Sequence, residues 1–385
     1  MTEEEAAELV QKLRERLPNL PQHYATHWNL LRWLRAWDYD LDQICGRLQR
    51  TLAFREALGL DSVPGSYAQD YNAWAKEQFH AVATDFYPGG VAGFDRLGNV
   101  LVIEPLGNAD PRGLLPVARC SEFYRSRVAE VERWQRLVME QEAKLNRRCG
   151  LLYIIDLHQL TLDKIYLPTM QIYMDLIKIV QDNFPDLLVR LLIIRAPKVM
   201  QVAYNMVYPI LAKQTREKLE IAGKDWQKIL TSLVDEKELP PHWGGRPSSG
   251  SPYGNIRMGG YVPSELLYNP SLNPLDPINA PSPPLTFITI PSGSKKEVEV
   301  AVGEGAKRLS WWFQCKSGDL YFELGYWEGP LLQPRFRLNT ETVAEWGERF
   351  LPAQSQPALL LFTWDNSHSY LKSKSIQYYI RLEPV

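Results

Sequence analysis

The stretch LLYIIDLHQLTLDKIYLPTMQIYMDLIKIVQDNFPDLLVRLLII, residues 151–194, decides how the middle of this chain folds. It opens on a short apolar run, LLYIID at 151–156, and closes on another, VRLLII at 189–194. Continuous apolar runs of this length predict strands covered on both faces rather than one. Between them, residues 166–182 carry apolar side chains at helical spacing. A strand, a helix and a strand in that order predict a parallel crossover unit.

Upstream, VLVIE at 100–104 follows the turn RLGN and ends at Pro105, giving a third strand. A charge-rich helix is predicted around 120–147, and another over 198–221, after Pro197. Residues 86–245 thus read as an α/β domain with a largely parallel sheet. Residues 1–60 read as helices. Leu9, Leu13 and Leu17 lie four apart on the first, and Leu41, Ile44, Leu48 and Leu52 form a stripe on the last. Asp40 is placed to cap that last helix, because its short carboxylate reaches an orphan backbone N–H. Composition changes near residue 240. Twelve prolines fall in residues 240–300, which forbids continuous helix and central strands there. An extended connection laid against the domains is predicted, with a free tether as the alternative. Beyond residue 284 the period becomes 2. LTFITI, KEVEVAV, LSWWFQC, DLYFELGY, FRLN, ALLLFTW and IQYYIRLE predict seven strands of an antiparallel sandwich.

The sequence offers little chemistry. The formal net charge is −2, which gives no long-range pull on nucleic acid. Neither GxGxxG nor GxxxxGK[ST] nor GxSxG occurs. The glycine-rich pieces YPGGVAGFD (87–95) and HWGGRPSSG (242–250) do not follow a strand and open a helix, so no phosphate loop is expected. His23 and His27 are four apart, but no carboxylate completes a metal motif. Asp156 and His158, at a predicted strand end, are the one candidate acid–base pair and the basis of a hydrolase alternative. Four dispersed cysteines form no CxxC, and no run approaches the ~20 apolar residues that span a bilayer. The first residues, MTEEEAAELVQKLRERL, lack a signal-type apolar stretch, so a reducing, cytoplasmic setting is expected. The segment KVMQVAYNMVYPIL (198–211) is apolar on more than one stripe and contains Met200, Met206 and Pro209. Adaptable methionine and a helix-bending proline suit a movable cover over a pocket.

In order, NLLRWLRAWDYDLDQI (29–44), FYPGGVAGFDRLGNVLVIEPLG (86–107), LLYIIDLHQLTL (151–162), IVQDNFPDLLVRLLIIRAPKVMQVAYNMVYPIL (179–211), TREKLEIAGKDWQKIL (215–230) and LPPHWGG (239–245) resemble the Sec14-like, or CRAL-TRIO, family of lipid-transfer proteins. The residues from RLSWWFQC (308–315) to FTWDNSHSYLKSKSIQYYIRLE (362–383) are similar to a GOLD sandwich, which points to the animal branch carrying that domain. The resemblance implies a multidomain chain. An N-terminal helical region (1–62) precedes an α/β lipid-binding domain with a mixed sheet (63–246). A Pro-rich linker (247–283) and a GOLD-like all-β sandwich (284–385) follow. It implies no enzyme and no cofactor, but a bound hydrophobic lipid: phospholipid, tocopherol, retinoid or squalene-like. It also implies transient membrane contact, a cytoplasmic chain peripheral on Golgi or other membranes, and a protein partner for the GOLD-like domain, whose role as a trafficking scaffold is the other alternative. The gate would be the helix around Lys198–Leu211, with Val202, Met206, Val207, Ile210 and Leu211 as its candidate residues. By position Thr215 and Lys218 match two phosphoinositide headgroup contacts of the family. Asp186 stands where the family has glutamate, and Trp37 where it has arginine, so a donor fork suited to phosphate is replaced by an indole.

Overall fold

A computed structural model of the chain describes residues 2–247, 250–279, 284–353 and 358–385. Three helices open the chain: α1 (Glu3–Arg16), α2 (His27–Ala36) and α3 (Leu41–Leu58). Each starts on a short polar side chain that satisfies orphan N–H groups: Thr2, Thr26 and Asp40. The Asp40 carboxylate accepts from the N–H groups of Asp42 and Gln43, as its place in the sequence predicts. The helices share a core of Leu13, Leu30, Trp33, Leu34, Ile44 and Leu48.

The middle of the chain runs α4 (Tyr71–Gln78), α5 (Ala81–Asp85), β1 (Gly90–Phe94), β2 (Val100–Glu104), α6 (Pro111–Leu114), α7 (Cys120–Leu145), β3 (Leu151–Asp156), α8 (Leu167–Asn183), β4 (Leu188–Ile194), α9 (Met200–Val207), α10 (Lys213–Glu217), β5 (Leu219–Ile221) and α11 (Trp226–Leu233). The sheet order is β1-β2-β3-β4-β5, antiparallel at β1/β2 and parallel elsewhere, so the sheet is mixed. The pleat divides its side chains. Leu101, Ile103, Leu152, Ile154, Leu192 and Ile194 face α11 and Trp243. Val100, Val102 and Leu151 join α7 on the opposite face.

Two strands of this sheet were not predicted. The glycine-rich YPGGVAGFD contains β1. Gly89, at φ +136°, lets the chain pass Glu104 where a Cβ would come within 2.8 Å of its Cγ. The single helix expected over 198–221 is instead α9, a short 3-10 turn at Tyr208–Ile210, α10 and β5. Pro209 lies in that turn and cannot donate to a continuing α-helix.

The charge-rich helix expected around 120–147 is α7. Its charges do not form a solvated face: 17 of its 26 residues are buried. Arg127 pairs with Glu104 and Glu130, Arg55 of α3 with Glu132 (2.6 Å), and Arg32 of α2 with Glu142. Arg127 ties α7 to β2, and the other two pairs bind α3 and α2 to α7.

The Pro-rich connection is laid against the rest of the chain. Ile256 and Tyr253 pack on the sheet, Arg257 reaches Glu130 at 2.8 Å, and Val262 N–H donates to Asp110. Strands β6 (Thr286–Ile290), β7 (Lys295–Val302), β8 (Lys307–Cys315), β9 (Asp319–Tyr326), β10 (Leu331–Asn339), β11 (Glu345–Leu351), β12 (Ala358–Asp365) and β13 (Lys374–Pro384) follow. They make two antiparallel four-stranded sheets, β10-β9-β12-β7 and β11-β8-β13-β6. The sheets face each other across alternating residues such as Trp311, Phe313, Phe322, Phe362 and Trp364. The eighth strand, β11, was not predicted from the sequence.

This sandwich packs on the central domain through β10 and its neighbours. Tyr124 of α7 stacks on Phe336 at 4.6 Å and donates to the Arg337 carbonyl. Asp175 of α8 accepts from Tyr321 at 2.9 Å, and Glu345 from Ser121 at 2.6 Å.

Candidate functional site

Between the α7 face of the sheet and helices α8 and α9 lies a cavity of about 360 Å³. That is inside the range of about 300–1,000 Å³ usual for small-molecule sites. Its floor is built by Tyr153, Ile155, Leu191, Ile193 and Leu219 of the strands. Helix α7 contributes Phe123, Tyr124, Val131 and Trp134, and α8 contributes Met170, Tyr173, Leu176, Ile177 and Val180. The wall is overwhelmingly apolar, so water held there finds few partners and an apolar guest loses none.

Helix α9 closes one side. Met200, Ala203, Tyr204 and Val207 point into the cavity, at i, i+3, i+4 and i+7. Tyr208 and Leu211 continue that face. Of the gate candidates, Val207 and Leu211 line the cavity, whereas Val202, Met206 and Ile210 do not. Val202 is turned outward, 45% exposed. The helix has no fully buried residue and no side-chain N-cap.

A polar cluster sits in this wall, and sequence reasoning missed it. Glu104, at the end of β2, accepts from Arg127 and from the Tyr153 hydroxyl. Tyr87 and Tyr173 add two more phenols. Burial pushes the Glu104 carboxyl above its ordinary range, although Arg127 opposes it. Burial would do the same to Glu130, but Arg127 and Arg257 together hold that carboxyl below its ordinary range. The same low-dielectric surroundings push the Tyr153 and Tyr173 hydroxyls far up, so both remain donors. A signal was present: VLVIE ends a fully apolar run on a carboxylate, as LLYIID does.

The headgroup candidates are only partly assembled. Lys218 donates to Asp186 at 2.6 Å and to the Leu188 carbonyl at 2.6 Å. Asp186 also takes Arg148 at 2.7 Å and Arg35 at 3.2 Å. It does so from a left-handed backbone conformation, φ +50°, that aspartate tolerates. Thr215 lines the cavity. Trp37 closes α2 and carries the Arg47 guanidinium 3.4 Å above its ring.

The acid–base pair proposed at 156 and 158 is not assembled. The Asp156 carboxylate is taken up by Arg195 and by Trp243 Nε1 at 2.9 Å. Its tie to His158 is the backbone N–H at 3.0 Å, and His158 is exposed. Asp156 therefore anchors the β3 end to the 241–243 turn and leaves the His158 imidazole unoriented. Among the described residues, no cluster of three or more His, Cys, Asp or Glu side chains could hold a metal, and no helix is long and apolar enough to cross a membrane.

Comparison with known proteins bears on the same region. Residues 86–245 match the model of the CRAL/TRIO domain. Protein ctg-1 of Caenorhabditis elegans is 25% identical over 372 residues, covering 92% of this chain and 91% of that protein. A CRAL-TRIO domain-containing protein of the same organism is 25% identical over 223 residues, 58% of this chain and 53% of its own. Protein real-time of Anopheles gambiae is 29% identical over 221 residues, 56% of this chain and 31% of its own. Among solved structures, the crystal structure of Sfh5 aligns with 65% of this chain and 90% of its own at 15% identity and a TM-score of 0.47. The matched family and the apolar cavity lie in the same residues. The residues that line the apolar cavity, Tyr87 to Leu219, all fall within the stretch that matches the CRAL/TRIO domain.

Proposed function

We propose that this chain takes one hydrophobic lipid into the cavity under α9 and carries it between membranes, or presents it at one. The observation that carries the reading is the apolar space enclosed by the sheet, α7, α8 and α9. A buried CH₂ is worth about 0.8 kcal/mol, so a 16-carbon chain costs roughly 12 kcal/mol to expose to water. A cavity as apolar as a bilayer cancels most of that, and small polar contacts then set the preference. Glu104, Tyr153, Tyr87 and Tyr173 suit a small uncharged head better than a phosphate. The pairing of Lys218 with Asp186 and the stacking of Trp37 under Arg47 count against a phosphoinositide held in the family manner. By resemblance, the C-terminal sandwich is a GOLD-like module through which a protein partner would hold the carrier at Golgi or other membranes.

The test is lipid extraction and native mass spectrometry of the purified chain, with a vesicle-to-vesicle transfer assay. A203W places an indole in the cavity from its cover. It is expected to empty the protein and lower transfer at least about tenfold while leaving the fold intact. Wild-type protein that yields no lipid and transfers none refutes the reading.

A further inference from the structure

The end of the β-sandwich formed by the loops 291–294, 316–318 and 366–373 carries two large apolar side chains in full view of solvent. Tyr370 is 91% exposed and Leu371 93%. They are adjacent, at the apex of the connection from β12 to β13. Such exposure is usual for a lax loop, but this loop is braced. Asn366 is wholly buried, and its amide donates to the carbonyls of Ile290 (3.3 Å), Pro291 (3.1 Å) and Lys372 (2.9 Å). Ser369 Oγ donates to the Lys372 carbonyl at 3.0 Å and accepts from the Lys372 N–H. Gly293 N–H donates to the carbonyls of Asn366 and Ser369, tying the neighbouring loop to this one. His368 stands edge-on to Tyr321, 5.3 Å between ring centroids. The network fixes both feet of the loop and leaves its apex projecting.

The charge around the apex has one sign to spare. Lys296, Lys316 and Lys372 are exposed, and Lys295 is exposed while paired with Glu297 at 2.6 Å. Asp319 and Asp365 at this end are engaged, and Glu323 faces Arg335 and Lys295. Asp319 is met by Arg337 (2.5 Å), His368 (3.5 Å) and Lys374 (3.8 Å), and Asp365 by Arg335 (2.8 Å). These contacts, chiefly with Arg337 and His368, more than offset burial and hold the Asp319 carboxyl well below its usual range.

We propose that this tip is a membrane-docking site for anionic lipid surfaces. The apolar apex enters the headgroup region, and the lysines meet lipid phosphates. A protruding aromatic–aliphatic pair has the shape of a wedge, not of the flat apolar patch that protein interfaces present. Tyrosine is at home where an apolar ring must end at a wet boundary. Exposed lysines around such an apex add attraction to anionic headgroups, as in other interfacial anchors. None of the residues of these loops lines the cavity, so the site does not depend on what the cavity holds.

The test is flotation of the full-length chain with phosphatidylcholine vesicles, with and without phosphatidylserine at about a third of the lipid. Wild type is expected to prefer the anionic vesicles and to lose that preference at high salt. Y370S/L371S is expected to weaken vesicle binding at least about tenfold. K316E/K372E should reduce binding to the level seen with neutral vesicles. F350S removes another exposed apolar side chain, from β11 near the opposite end of the sandwich, and should bind as wild type does. Equal melting temperatures would show that all variants are folded, and unchanged lipid content in Y370S/L371S would separate docking from the cavity. Vesicle binding by Y370S/L371S equal to wild type overturns the proposal. So does a wild-type chain that binds neither vesicle, or a loop-dependent protein partner found while vesicle binding is undiminished.

Discussion

Glu345 supplies a test of how the sandwich is seated on the cavity wall. Its carboxylate is buried at the start of β11 against the first turn of α7. Ser121 Oγ donates to Oε1 at 2.6 Å, and Oε2 has no partner. Burial raises this carboxyl from 4.5 to about 7, with Arg119 and Ser121 pulling the other way. The folded chain therefore holds a proton that the unfolded chain has released. Below the unfolded value both states are protonated and nothing is lost. As pH rises through the window from about 4.5 to about 7, only the unfolded state ionises, and folding stability falls. Above the window both are ionised and the loss is complete. Each unit of pKa is worth about 1.4 kcal/mol, so the loss is about 3 kcal/mol at most. E345Q keeps an acceptor for Ser121 and removes the titration. Its NH₂ replaces an oxygen that had no partner, which gives back roughly 1–2 kcal/mol of the gain. Thermal or denaturant unfolding at pH 5, 6, 7 and 8, followed by tryptophan fluorescence, measures the difference between the two proteins. Wild type minus variant should slope downward with pH and flatten near pH 8. Identical slopes would refute a buried, proton-binding Glu345 and the tight seating that it reports.

Three other perturbations have directions fixed by the same geometry. R127M leaves Glu104 and Glu130 buried without their shared guanidinium and should cost roughly 3–5 kcal/mol in denaturant unfolding; a loss under about 1 kcal/mol would mean that the network is hydrated. Y124A removes the stack on Phe336 and part of the cavity wall, and should cost about 3–5 kcal/mol together with a lower yield of co-purified lipid. W37R puts a second guanidinium where Arg47 now lies 3.4 Å over an indole, while Lys218 stays bound to Asp186. It should lower stability by about 1–2 kcal/mol without improving capture of phosphatidylinositol, and a clear gain in a competition assay would show that the headgroup site needs only that arginine.

What could be read in the sequence was whatever hydropathy fixes by phase. Strands β2 and β3 are apolar runs closed by a carboxylate, β4 is one broken only at Arg190, and β7 alternates valine with glutamate, so each declared its class. Strand β1 is mostly small residues, and β5 has three residues; neither has a period to detect. In β11 the inward positions include Glu345, and an inward carboxylate inverts the pattern that marks a buried face. Helix α7 was legible as a charge-rich helix, but not the burial of that charge, because the partners of Glu132 and Glu142 lie 77 and 110 residues away in sequence. Segment 198–211 was legible as apolar on several sides, but the face that lines the cavity was not. A helix apolar on several sides has no unique hydrophobic direction, so Val202, Met206 and Ile210 were as eligible as Met200, Ala203 and Tyr204. The pairing of Asp186 with Lys218, Arg148 and Arg35 depends on tertiary closure, and no spacing in the sequence encodes it.

On the proposed reading, the distribution of strength around the cavity suits a lid that opens at membranes and stays shut in water. The fixed wall is α7, deeply buried and pinned by ion pairs from α2, α3 and the Pro-rich connection. The cover is α9, with no fully buried residue; the turn that follows it is tied by Gln181 to the Ile210 carbonyl and the Ala212 N–H, and by Arg216 to the carbonyls of Pro209 and Leu211. On the proposed reading, opening is a swing about residues 209–212 that breaks no ion pair and exposes the inner face of a helix of eight residues. In water that exposure is opposed by the apolar side chains of the inner face and by the guest itself, several kcal/mol in all. Against a bilayer the same surfaces meet hydrocarbon and the opposition largely vanishes. The difference between the two media, rather than any motion of the fixed wall, then decides when the lipid leaves.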